Sequence, residues 1–228
     1  MTNKKSILKK ILLQKFFIIL ILSSFYSFLL VIFRIFYSQG SVRYLFLNWN
    51  LFLAWIPLII SVLLNICSRK RYPKQIQIIL FLTWIVFFPN SLYIITDLFH
   101  LKPTYDIAFW FDLILIMSFA WNGLIVGFVS LIFIEDFIVQ KTKESKYAKA
   151  VAIISLFLAS FGIYVGRYLR WNSWDILTNP ISLFYDIFSH IFDPISHFRS
   201  IGMTLFFAAF LILAYSTIRS ISKDKLIK

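Results

Sequence analysis

The sequence predicts an all-α polytopic membrane protein: a six-helix transmembrane bundle with a short amphipathic interfacial helix before the last span. Three observations carry this. Six stretches are free of charge, and each approaches the ~20 residues a helix needs to cross a hydrocarbon core. Sixty per cent of residues are hydrophobic and only 14% charged, with a mean hydropathy of +0.82, far from the soluble norm. The segments rich in Lys and Arg alternate with the segments that carry every histidine.

The charge-free stretches are Phe16 to Phe33, Tyr44 to Ser68, Gln75 to Thr96, Leu113 to Ile134, Ala150 to Gly166 and Ser200 to Ile218. Their backbone groups must be satisfied inside lipid. Continuous apolar runs without period-two alternation choose helices over a barrel. The expected spans are about 16–37, 45–67, 75–96, 112–134, 150–170 and 198–219, and residues 1–228 form one membrane domain, with loops too short for a second. The first stretch follows a lysine-rich start, as in a signal peptide. It is longer than an h-region, and no small-residue cleavage pattern follows at Phe36-Tyr37-Ser38-Gln39, so it reads as a retained anchor.

Orientation follows from the basic residues. The N-terminus, the second and fourth connections and the C-terminus hold seventeen Lys and Arg; the other side holds six, Arg34, Arg43, Lys102, Arg167, Arg170 and Arg199. Both termini are therefore expected in the cytoplasm. The formal charge of +13 then reports topology and contact with anionic headgroups on the cytoplasmic side, rather than nucleic-acid binding. Cys67 is the only cysteine, which excludes an intrachain disulfide and a cysteine-rich metal site. No P-loop, dinucleotide fingerprint, serine elbow or zinc-protease helix is present, and no cofactor is implied.

The outer side gathers the unusual chemistry. In the third span Pro89 kinks the helix, and a helix continued past it would place Asn90, Tyr93, Asp97 and His100 within an arc of about 80°. Such a stripe faces the bundle or a wet cavity, either as interhelical hydrogen bonds or as a site in which Asp97 and His100 are the catalytic candidates. The fourth span opens on Trp110-Phe111-Asp112; Ala120, Gly123, Gly127 and Ser130 form a small-residue packing stripe, and Asp112 and Asn122 lie on another side, able to face the third helix. The fifth ends in a polar run in which Gly162 and Gly166 make a packing step. Arg167 and Arg170, one turn apart, can clamp a phosphate or carboxylate, neutralise Asp97 and Asp112, or snorkel to lipid phosphates. Trp49, Trp110, Trp171 and Trp174 are placed for an interfacial belt.

Asn179-Pro180 and Asp193-Pro194 each read as an N-cap and first helical proline, starting a surface helix over 180–192 and then the last span. In the surface helix Phe184, Ile187, Phe188 and Ile191 are expected on one face, with Asp186, Ser189 and His190 on another. Asp186, His190, Asp193 and His197 have metal-ligand spacing only on an unbroken helix, which Pro194 interrupts, so His190 and His197 are weak metal candidates. The candidate ligand-binding set is Asn90, Tyr93, Asp112, Arg167, Arg170, Asn172 and Asp175.

The runs Pro89-Asn90-Ser91-Leu92-Tyr93-Ile94-Ile95-Thr96-Asp97-Leu98-Phe99-His100-Leu101 and Gly166-Arg167-Tyr168-Leu169-Arg170-Trp171-Asn172-Ser173-Trp174-Asp175, with Trp55-Ile56-Pro57 and Ser118-Phe119-Ala120-Trp121-Asn122-Gly123, resemble domain-of-unknown-function family 1361 over about residues 45–215. The resemblance implies a bacterial multipass inner or plasma membrane protein and transfers no activity. Three functions fit the residues: a binding protein whose outer polar site suits a phosphate- or carboxylate-bearing lipid headgroup, glycan or membrane partner; an enzyme acting on lipid-linked or envelope substrates; and a small transporter. The transporter ranks last, because no carboxylate lies midway through the spans.

Overall fold

A computed structural model describes residues 2–103, 107–192 and 198–226. Six of its helices are long and apolar enough to cross a membrane: α1 (Thr2–Tyr37), α2 (Phe46–Arg69), α3 (Lys74–Tyr93) with its 3-10 continuation (Ile94–His100), α4 (Phe109–Thr142), α5 (Ser145–Tyr168) and, last in the chain, α8 (Phe198–Leu226). Between α5 and α8 lie one turn, α6 (Asp175–Thr178), and the predicted surface helix, α7 (Pro180–Phe192). No strand occurs among the described residues. The Asp193-Pro194 start expected for the last span, and the candidate ligand His197, lie outside the described residues.

Side-chain bonds show that the spans alternate in direction. Arg34 meets Asp112 and Arg167 meets His100 at one end, the site face. At the other end, the terminus face, Asn65 reaches Phe133 and Gln140, and Arg219 pairs with Glu135 at 2.7 Å. The core lies among α2 to α5, where Trp84, Phe88, Phe128, Leu131, Leu156 and Ile163 are almost fully buried. The outer helices α1 and α8 instead present Ile19, Leu22, Phe206 and Leu213 outward, the apolar belt that lipid requires.

The upper part of α3 is held on two sides by glycines. A Cβ on Gly123 of α4 would stand 2.5 Å from the Ser91 carbonyl oxygen, and one on Gly127 would stand 2.9 Å from the Leu92 side chain. On the α5 side, a Cβ on Gly162 would stand 2.8 Å from the Pro89 ring. The small residues of α4 and α5 thus let the segment around Pro89 sit at backbone contact distance, as small-residue packing allows in membranes. The Ser91 hydroxyl donates to the Ala54 carbonyl in the turn of α2 that Pro57 interrupts, at 2.7 Å, which locks the two proline-bearing helices together.

Candidate functional site

The α-helical pattern of α3 stops at Tyr93, and the chain tightens into a 3-10 helix. Its step of about 120° per residue aligns positions three apart, so Asp97 and His100 share a side because of the tighter winding rather than an α-helical stripe. Asp97 is buried, with 1% of its surface exposed. Its Oδ2 accepts a hydrogen bond from the Asn50 amide of α2 at 2.8 Å, and its Oδ1 lies 3.7 Å from Arg167 Nη1, beyond hydrogen-bond length and without a donor. Arg167 Nη1 donates to His100 Nε2 at 2.8 Å. Because a guanidinium has no acceptor, this bond makes Nε2 the acceptor and puts the imidazole proton on Nδ1. Phe99 lies beneath the guanidinium at 5.3 Å, and the Phe46 ring stands 5.0 Å from that of His100.

Pro89 has no N–H to give the Ile85 carbonyl, and the loop after α5 packs beside this turn, bonding its neighbours Val86 and Asn90. The Ser173 hydroxyl donates to the Val86 carbonyl at 3.2 Å and accepts from the Asn90 amide at 2.7 Å; that same amide donates to the Phe87 carbonyl at 3.0 Å. With both amide hydrogens used, Asn90 has only its Oδ1 left to offer. Trp171 donates from Nε1 to Asp186 of α7 at 2.8 Å, tying the loop to the surface helix. These elements enclose a cavity of about 370 Å³ whose walls include Trp49, Asn50, Asn90, Tyr93, Asp97, His100, Trp171, Asn172, Ser173 and Trp174.

Asn90, Tyr93, Asp97, His100 and Asn172 therefore meet around one space, with Arg167 behind Asp97 and His100. Arg170 does not join Arg167. The helix ends at Tyr168 and the chain turns left-handed at Arg170 (φ 62°), so the expected side-by-side pair of guanidiniums is not built, and Arg170 faces outward. Asp112 is also elsewhere. Both its oxygens accept from buried Arg34 of α1, at 2.8 and 3.2 Å, beside the Tyr44 ring. Burial, together with the Asp112 charge, raises the Tyr44 hydroxyl pKa. Asn122 faces α1 rather than α3 and donates to Ser23 and Ser27.

Asp175 closes its own loop outside the cavity wall. The Asn172 backbone N–H, with the Thr178 hydroxyl and the Asn172 amide, holds its carboxyl below the usual carboxylate range. On α7, Leu183, Ile187 and His190 turn toward the bundle, while Ile181, Phe184, Tyr185 and Phe188 face outward. The expected segregation of His190 from the apolar face is thus reversed, because its ring packs at a tilt of 55° against that of Tyr164 and its Nδ1 bonds the Asp186 carbonyl at 2.8 Å. Among the described residues, no three His, Cys, Asp or Glu side chains are grouped to hold a metal ion.

The family described as Protein of unknown function (DUF1361) matches residues 49–214, a range that contains the cavity walls from Trp49 to Ile187. The chain belongs to this family. No curated protein and no solved structure matches it. Both motif runs of this DUF1361 chain now have a structural reason: one winds Asp97 and His100 into the cavity, and the other closes it with Trp171, Asn172 and Ser173.

Two cavity residues, and one partner outside the cavity, escape sequence reasoning. Asn50 stands in a charge-free span beside Trp49, and its polarity was the available signal. Ser173 acts through Val86 and Asn90, more than 80 positions earlier in the chain. Arg34, a charge within the first helix, demanded a partner that local spacing could not name.

Proposed function

We propose that the protein binds the hydroxyl-bearing headgroup of a membrane lipid or glycan in this cavity, on the outer side of a cell membrane. The observation that carries the reading is Asp97, a buried carboxylate at the wall of a cavity sized for a small ligand, whose Oδ1 has the Arg167 guanidinium at 3.7 Å but accepts no hydrogen bond. Asn90 Oδ1 is a second acceptor, and Trp49, Trp171 and Trp174 supply flat apolar surface. A phosphate or carboxylate could reach the Arg167 guanidinium only in competition with Asp97 and His100, which already engage it, and would otherwise meet only the more remote charges of Arg43 and Lys102 near His100. An ammonium would lie against that same guanidinium. Neutral hydroxyls meet neither objection.

The seventeen-to-six distribution of basic residues supports an outward site face, cytoplasmic termini and contact with anionic lipid on the cytoplasmic side. The Asp97→Asn variant keeps an acceptor for Asn50 but removes the charge-assisted bond to the ligand. Affinity for methyl glucoside, measured by titration of the protein in nanodiscs, is expected to fall about tenfold. Unchanged affinity rejects the assignment.

The succession Asp97, Arg167, His100 favours one second reading, an enzyme on the same ligand with Asp97 and His100 in acid/base roles. Turnover of a glycosyl lipid by purified protein, lost in both Asp97→Asn and His100→Asn, would establish it. Binding without turnover would reject it.

A further inference from the structure

A second cavity, of about 230 Å³, lies between α5, α7 and α8. Its walls are Phe157, Leu158, Phe161, His190, Ser200, Ile201, Thr204 and Leu205, and so are mostly apolar. Leu158 and Phe161 also line the polar cavity. The two spaces therefore meet across one turn of α5. At the groove, Phe157, Leu158 and Leu205 are each about half exposed in a part of the chain read as membrane-embedded, so a lipid chain reaches them without opening the fold.

We infer that the polar cavity and this groove form one bipartite site for an amphiphile, with the hydroxylated headgroup near Asp97 and one hydrocarbon chain along α5 and α8. This deepens the headgroup reading and rests on it. The occupant follows from the two linings. Acceptors and indole faces suit a hydroxylated head, and an apolar slot opening sideways to lipid suits a chain rather than a soluble molecule or a peptide with backbone groups to satisfy. The shared residues Leu158 and Phe161 fix where head and chain join, at the level of Gly162 and Pro89. The groove admits the ligand from the membrane plane, so a lipid-linked substrate would not need to pass through water.

The test uses the full chain in phosphatidylcholine nanodiscs with a glucosyl diacylglycerol carrying a diazirine in one acyl chain. Labelling is expected to concentrate on Phe157, Phe161, Ile201 and Leu205. Thr204→Trp and Ile201→Trp, which fill the groove, are expected to reduce that labelling at least fivefold while leaving methyl glucoside binding unchanged. Leu213→Trp, on the exposed side of α8, should change neither. Labelling spread evenly over Ile19, Leu22 and Phe206 of the outer helices would mean bulk lipid contact and overturn the bipartite site. So would groove labelling that Thr204→Trp and Ile201→Trp both leave intact. If methyl glucoside fails to bind the unaltered protein while the chain still labels the groove, the headgroup reading fails, and the joined site with it.

Discussion

Replacing Arg34 by methionine is expected to destabilise the bundle by about 3–5 kcal/mol, because it leaves the Asp112 carboxylate buried without its cation. The pair is nearly inaccessible, at 1% and 2% side-chain exposure, and bidentate. The guanidinium also bonds the Ser41 hydroxyl at 3.3 Å and lies 4.7 Å from the centre of the Tyr44 ring. Removing one charge therefore strands the other and loosens the α1–α2 connection. The sign of the effect separates pairing from simple charge loss: the double variant Arg34→Met with Asp112→Leu should recover most of the loss, since an apolar pair of similar volume is tolerated where a lone charge is not. Thermal unfolding in detergent, with retained ligand binding in the double variant, is the measurement. A double variant as unstable as Arg34→Met would refute this account of the pair.

The second large effect concerns the glycines around Pro89, and it has opposite signs at different positions. Alanine at Gly123 places a carbon 2.5 Å from the Ser91 carbonyl oxygen, and at Gly162 it places one 2.8 Å from the Pro89 ring. Neither backbone nor proline ring can swing aside, so each substitution should cost about 1–3 kcal/mol by overpacking. Gly202 on α8 has open space around its Cβ position. There alanine should stabilise by about 0.5–1 kcal/mol through helix propensity alone. Gly166, with 3.4 Å to the Tyr93 ring, should fall between. Melting temperatures of the four alanine variants would rank them, and equal effects at Gly123 and Gly202 would contradict the close packing of α3.

How far the sequence carries differs between the fold and the site. The spans were legible because lipid imposes one dominant requirement, a long apolar helix, and it can be read residue by residue. The surface helix was equally plain from Asn179-Pro180, and α7 begins at that proline. Its facing was not, because its apolar arc is broad, Leu183 borders the polar side, and only contact with α5 decides that Leu183 and His190 turn inward. Asp97 and His100 were legible as a pair by proximity in the chain. Their winding was not, since the change from α to 3-10 at Ile94 depends on how the segment packs against α4. Arg167 and Arg170 looked equivalent until the helix ended between them, and Asp112 looked like a site residue until Arg34, 78 positions earlier, claimed it. Long-range pairing of charges is what one-dimensional spacing conveys least.

In the proposed function, the cavity at the site face recognises hydroxyl groups through Asp97. The most direct measurement is equilibrium binding to the protein in nanodiscs of two soluble probes of similar size, methyl glucoside and glycerol phosphate. Methyl glucoside is expected to bind and to displace a glucosyl lipid, with glycerol phosphate bound at least tenfold more weakly. Tighter binding of glycerol phosphate, or displacement of the lipid by neither probe, would contradict the claim.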